Sequence, residues 1–436
     1  MLRKSIIMII ALLVIGLTVV YAQSGDIIVQ GNSFADKMAW LQAFVQSNVN
    51  YILEINANES IDSQKFEYSG KRNITITVKG IGANRTLSNG TFMVGSGIIL
   101  ILENNITLRG SVYIETGGNL IMNNGSTVTG KNRDYKANGV HVKGGTFTMN
   151  GGEISGNDYH GVLVEEDGTF TMNNGTISSN TSGGVMVRFG NGTYTMSGGT
   201  ISGNRGSGVG MFGTGTFTMS DGTISGNTAS QGGGVHITNR STFTMSGGKI
   251  SGNTATGNSG YSSNPSQGGG IYVSDTYGGT FIMNGGEISG NTATSGGGVY
   301  GNLTMNNGTI SGNIASKFGG GVFIPRGCTF TMSGGIVLSN TARENGGGIY
   351  VNGSATFSKT GGTITGYTGD TVTGNAVKES SGTVRNFRGH AVYAGSTDDV
   401  LKIKDATTGQ DDNLSYISTS TGYMRYSSTA SGAWDN

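Results

Sequence analysis

One sentence is rewritten nine times between residues 120 and 359: Thr-Phe-Thr-Met, Ser-Gly-Gly, Thr-Ile-Ser-Gly-Asn, Gly-Gly-Gly-Val. The aromatic position marks its register, at Phe147, Phe170, Tyr194, Phe217, Phe243, Phe281, Leu303, Phe330 and Phe357. The steps are 23, 24, 23, 26, 38, 22, 27 and 27 residues. Constant text with variable gaps means constant strands joined by variable turns. A unit of this length cannot bury its own apolar face and must stack on copies of itself. The Leu-x-x-Leu-x-Leu frame of leucine-rich repeats is missing. No segment of the repeat region has a helical period, and 80 glycines in 436 residues disfavour helices.

Each repeat reads as three short strands. In Thr146-Phe147-Thr148-Met149 the side chains alternate, so Phe147 and Met149 share one face and the threonines the other. Ile154 marks a second strand, and Val162 with Val164 a third. Gly-Gly and Gly-Asn pairs fall where the chain must turn sharply. Parallel crossovers are right-handed by strong preference. The expected fold is therefore all-β, a single-stranded right-handed parallel β-helix with three strands per coil. Degenerate first coils at Leu53–Ile55, Ile74–Val78, Ile99–Leu102 and Leu120–Met122 bring the count to 12–13 coils, roughly 60 Å at about 4.8 Å each. The recurring asparagines, from Asn157 to Asn340, should stack into a ladder at one turn.

The ends differ from the repeat. Arg3 and Lys4 precede an apolar run from Ile6 to Val20 and a small Ala22, so residues 1–22 read as a signal peptide whose cleavage leaves no stable membrane span. Residues 23–50 carry the one convincing helix. Ser33 and Asp36 make its N-cap pattern, and Phe34, Met38, Leu41 and Val45 fall on one face. Its expected task is to cover the open first coil. The β-helix proper spans 51–395, and 396–436 form a tail that closes it. About 40 residues after the last coil are too few for an outer-membrane barrel.

Charge excludes some functions. Without Arg3 and Lys4 the 27 basic residues fall to 25, against 26 acidic ones, and no basic patch favours nucleic acid. The lone cysteine, Cys328, allows no disulfide within the chain. No His/Cys set has metal-ligand spacing, and no cofactor motif is present.

The Ile-Ser-Gly-Asn and Gly-Gly-Gly-Val pair, as in Ile288–Asn291 and Gly296–Val299, resembles the repeats of polymorphic outer-membrane proteins, with Ile in place of their Phe. The chain is also similar to right-handed β-helix repeat proteins of spirochaetes. That likeness runs through Ser33–Gln42, Tyr68-Ser-Gly-Lys71, Val94–Gly97, Leu102–Leu108 and Gly389–Tyr393. The resemblance implies a pectin-lyase-like fold and an exported, surface-associated protein. It implies no established activity.

Three functional readings follow. The preferred one is a non-enzymatic, exported adhesin or structural protein at the cell surface or outer membrane. Its contact face is the outward position of the third strand, which becomes aromatic at Tyr272, Tyr300, Phe323, Tyr350 and Tyr393. Exposed aromatics in a row would stack on a surface glycan or on a host or neighbouring-cell protein. The alternative is a polysaccharide lyase or hydrolase using Asp158, His160 and Glu165, where His160-Gly161 resembles the His-Gly pair of pectin hydrolases. Solvated turn charges explain the same residues more simply. The third reading is ice binding by the Thr-x-Thr face, which Thr276–Ile282 and Asn302–Met305 interrupt. The longest insertion, Thr254–Gln267, precedes Tyr272 and would overhang the aromatic column.

Overall fold

Each repeat lays down its strands in the order its text spells them. Thr-Phe-Thr-Met segments form strands such as Thr146–Met149, Thr169–Met172 and Thr193–Met196, with Phe and Met buried and both threonines turned outward. Successive coils pair in parallel, residue for residue: Thr146 with Thr169, Phe147 with Phe170, Met149 with Met172. In the computed structural model the described residues are 25–130, 137–257, 266–367, 374–384 and 391–395, plus the strands Lys402–Lys404, Ser415–Ser418 and Met424–Arg425. The expected leader at 1–22 and most of the tail lie outside them.

The phenylalanine strands stack into a 16-stranded sheet, the isoleucine strands into a 13-stranded sheet and the valine strands into a 14-stranded sheet. The molecule is thus a parallel β-helix of about thirteen coils, at the upper end of the expected count. Its core is one continuous cluster of Phe, Met, Ile and Val from every coil. The interior rings from Phe147 to Phe281 stack face to face with centroids 4.4–5.1 Å apart. Leu303 interrupts that column, and Phe330 and Phe357 resume it. Each buried ring contributes about 1.5–3 kcal/mol, so the column is a large part of coil-to-coil cohesion.

The asparagine ladder forms. Asn157 Nδ2 donates to Asn180 Oδ1 at 2.7 Å, and the same oxygen accepts the Asn157 backbone N–H at 3.1 Å. The pattern repeats through Asn204, Asn227, Asn253, Asn291, Asn313 and Asn340. It ends on Asn375, a rung beyond those read from the repeat text. All nine side chains are buried, so every amide must find a partner, and the neighbouring rung supplies it.

A fourth sheet was not foreseen. Six short strands, Thr228–Ala229, Thr254–Ala255, Thr292–Ser295, Ile314–Phe318, Thr341–Ala342 and Ala376–Val377, follow the ladder asparagines. The sequence signal is turn length. Asn157 and Val162 are five residues apart, whereas Asn227 and Val235 are eight apart, with Gly-Gly-Gly inserted. Those glycines permit close coil-to-coil approach: a Cβ on Gly297 would meet the carbonyl oxygens of Gly320 and Ile314 at 2.5 and 2.6 Å.

The expected helix runs from Phe34 to Phe44, capped by a reciprocal pair: Asp36 N–H to Ser33 Oγ at 3.1 Å, and Ser33 N–H to Asp36 Oδ2 at 3.0 Å. Phe34, Met38, Leu41 and Val45 are buried, and Phe34 stacks on Phe92 at 5.7 Å. At the other end two sheets gain antiparallel partners. Lys402–Lys404 pairs with Val392–Gly395, and Ser415–Ser418 with Thr356–Lys359.

Candidate functional site

The outward column of the valine sheet keeps strict register from His141 through Leu163, Met186, Gly210, His236, Tyr272, Tyr300, Phe323 and Tyr350 to Tyr393. Its rings stack on one another. Centroids are 5.4 Å apart from Tyr272 to Tyr300, 5.0 Å for the next two steps and 5.2 Å from Tyr350 to Tyr393.

The column is not the exposed stripe that the strand pattern predicts. Tyr272, Tyr300 and Phe323 are only 8, 6 and 7% exposed. Two causes act together. Parallel register lays each ring over the next, so ring faces are spent on neighbouring rings. The fourth sheet then extends into a flanking wall, in which Gln231, Gln267, Ser295, Phe318 and Asn345 bridge one another in that order. Phe318 packs at 5.0 Å from Tyr350 and 6.4 Å from Phe323. Burial pushes the Tyr350 phenol up to about 12 and raises that of Tyr300, so both stay protonated at neutral pH. Phe323 is therefore chiefly a ladder residue, whereas Tyr350 and Tyr393 are half-buried.

The column opens at its beginning. A cleft of about 580 Å³ is lined by Phe212, Gln231, His236, Thr238, Asn239, Gln267, Tyr272, Ser274, Asp275, Thr276, Tyr277 and Tyr300. Two of the five expected contact residues, Tyr272 and Tyr300, thus meet in one concavity. Two turns of unequal length create it. Residues 274–279 connect Ile271–Val273 to the next phenylalanine strand, whereas Gly301 and Asn302 alone do so one coil later. Asp275, Thr276 and Tyr277 are consequently exposed, and Tyr277 is 64% exposed, so it offers a free ring. Residues 258–265 of the long insertion lie outside the described residues. Its end, Gln267, accepts a 2.6 Å hydrogen bond from Gln231 Nε2 at the cleft wall.

Sequence reading missed Tyr277, which it placed in an interrupting segment, and Asp275. The signal was available. The step of 38 residues holds two insertions, one on each side of Ile271–Val273, and the shorter one carries Asp275 and Tyr277. Phe212 was missed because its strand has glycine at the column position. Its ring lies tilted with its centroid 4.7 Å from that of His236, which meets Tyr272 edge-on at 4.8 Å. Burial holds His236 down at about 4, so it is neutral at pH 7.

No hydrogen bond or ion pair joins Asp158, His160 and Glu165 to one another. His160 is buried against Tyr159, and its Nδ1 accepts the Gly183 N–H at 3.1 Å. Burial, then Arg188, holds it down at about 4. Glu165 is engaged elsewhere, with Arg188 Nε and His141 Nε2 each 2.7 Å from its oxygens. Burial works to raise its pKa, but these partners outweigh it and the net shift is downward. Cys328 is buried, and that burial lifts its thiol to about 12, which makes it inert as a nucleophile. Among the described residues no three His, Cys, Asp or Glu side chains cluster as metal ligands.

The threonine face is more regular than its text. Thr280 aligns with Thr242, Thr304 with Thr331 and Thr356 with Thr329. The interruptions therefore replace single side chains, as at Ile282, and do not shift the register.

A family model for the right handed beta helix region matches residues 111–276. No curated protein and no solved structure matches the chain. The matched region ends inside the cleft-forming coil, at Thr276, and the same strand pattern continues on both sides of it. The chain is a right-handed parallel β-helix repeat protein.

Proposed function

We propose that this chain is an exported, non-enzymatic repeat protein that acts at the cell surface as an adhesin or interaction protein, of the kind its likeness to spirochaete repeat proteins suggests. Its ligand is a glycan, held in the cleft beside Tyr272 and Tyr300. The carrying observation is the pairing of an exposed ring, Tyr277, with amides and hydroxyls from Gln231, Asn239, Gln267 and Ser274 in one concavity. Sugars present an apolar face and a rim of hydroxyls, and such a surface answers both. The stacked strands on either side carry the turns that bear these groups. The lack of any hydrogen bond or ion pair among Asp158, His160 and Glu165, with His160 buried and Glu165 tied to Arg188 and His141, supports the non-enzymatic reading.

A glycan array tests it, run with the purified protein beside Tyr277→Ala and Tyr300→Ala/Tyr350→Ala. Binding lost in Tyr277→Ala is the expected result. Binding that survives Tyr277→Ala but fails in the double variant would return the site to the ring column. No binding to any glycan would leave a structural or protein-binding repeat. Product release from uronate-rich polymer, lost in His160→Ala, would establish the enzyme reading instead.

A second reading draws on the unbroken register of the threonine columns. A flat, rigid hydroxyl lattice suits ordered water, which is what ice binding requires. Ordinary ice growth at high protein concentration removes it.

A further inference from the structure

We propose that the cleft, on the glycan reading above, selects sugars carrying a free amine, such as 2-amino-2-deoxyhexose units, and rejects uronic acids. Asp275 bears the single full charge among the side chains that line it. Among the described residues no lysine or arginine forms an ion pair with that carboxylate, which accepts a hydrogen bond from the Thr276 hydroxyl at 3.2 Å. The one lining group that could carry positive charge, His236, is held neutral above about pH 5 by its burial. Arg240, on the preceding turn, is not among the lining residues, and its backbone N–H points to the Tyr277 carbonyl.

The exposed Tyr277 ring lies two residues from Asp275 in the same turn. A carboxylate and an exposed aromatic ring lining one cleft offer the two contacts that an ammonium group uses, a charge-assisted hydrogen bond and a cation–π contact. An N-acetylated sugar keeps the ring contact and loses the charge. A uronate brings a second carboxylate toward Asp275 in a half-enclosed space, where like charges repel more strongly than in open water. The Gln231–Gln267 amide pair serves the hydroxyl rim and is indifferent to that choice.

Titration calorimetry at pH 6 and low salt tests this, using tetramers of glucosamine, N-acetylglucosamine and galacturonate with the purified protein. The glucosamine tetramer should bind roughly fivefold more tightly than the acetylated one, the scale of an exposed charge pair. Galacturonate should bind weakest. Asp275→Asn should bring the amine-to-acetyl ratio below about twofold, and added salt should narrow it in the parent protein. Equal binding of the amine and acetyl forms, tighter binding of galacturonate, or a preference that survives Asp275→Asn would each overturn the selectivity while leaving the cleft a glycan site. Failure of all three tetramers to bind would overturn the selectivity, and the glycan reading falls with it where the array also shows no binding.

Discussion

The ring of Phe212 occupies the space above Gly210. A Cβ on Gly210 would come within 2.8 Å of Phe212 Cε2 and 3.0 Å of Met186 Cε. A residue from the next outward position thus fills a gap in the column and starts the ring stack that leads through His236 to Tyr393. Gly210→Ala should displace the Phe212 ring from His236 and cost roughly 1 kcal/mol. Phe212→Ala should cost a similar amount. The double variant should cost less than the sum, by about 0.5–1 kcal/mol, because both remove one contact. Urea unfolding of the four proteins measures this, and full additivity would refute it.

Asn253 holds its neighbours through both ends of its amide. Its Oδ1 accepts the Asn227 N–H and Nδ2, each at 3.0 Å, and its Nδ2 donates to Asn291 Oδ1 and to the Ile224 carbonyl. Asn253→Ala orphans buried donors on one side and acceptors on the other. A loss of about 2–4 kcal/mol is expected. Asn253→Asp should retain the acceptor side alone and fall well short of the parent. A loss under about 0.5 kcal/mol for the alanine variant would show that the ladder is decorative.

His160 titrates at about 4 in the folded chain, against about 6.5 when unfolded. The unfolded state therefore binds the extra proton between those values. Stability from this group is complete above about pH 6.5 and is lost as pH falls toward 4, by at most about 3 kcal/mol. His160→Gln should flatten that part of the pH profile. Its stability at pH 7 need not match the parent, because the Gly183 N–H must find a new acceptor. An unchanged slope between pH 4 and 6.5 would rule out His160 as its source.

Phe318 shields the column from the side. Phe318→Ala should expose Tyr350 and Phe323 and destabilise by about 1–3 kcal/mol, less than a fully buried ring because Phe318 is only partly buried. Tyrosine accessibility to a neutral quencher should rise in parallel. A rise without destabilisation would mean that the wall excludes solvent but adds no cohesion.

Repetition made the inward half of this protein legible. Phe147, Met149, Ile154, Val162 and Val164 each stand where alternation puts them, because a narrow solenoid core accepts few side-chain sizes. The Asn157–Asn340 ladder followed from the same logic. The outward half was harder. Alternation says that Tyr300 leaves the core, but not that Phe318, five residues before the column ring Phe323, will rise beside it. Side-by-side placement depends on turn geometry, and the extra residues between Asn227 and Val235 acted as strand and wall where they read as turn. The cleft needed two unequal turns, at Ser274–Gly279 and Gly301-Asn302, brought together in space, and no single repeat contains both.

The ladder asparagines all point their amides the same way along the axis. A coil therefore offers acceptors to the coil before it and donors to the coil after it, whichever coils those are. Removing residues 170–193 would join Thr169 to Tyr194 and set Asn157 against Asn204, keeping the threonine, inner aromatic and asparagine columns in register. Length in such a molecule is a matter of copy number, open to gain and loss by recombination between near-identical stretches of gene. The coil from Thr254 to Gly279 is the exception, since its loss would take the cleft with it. A population of related chains should vary freely in height and sparingly there.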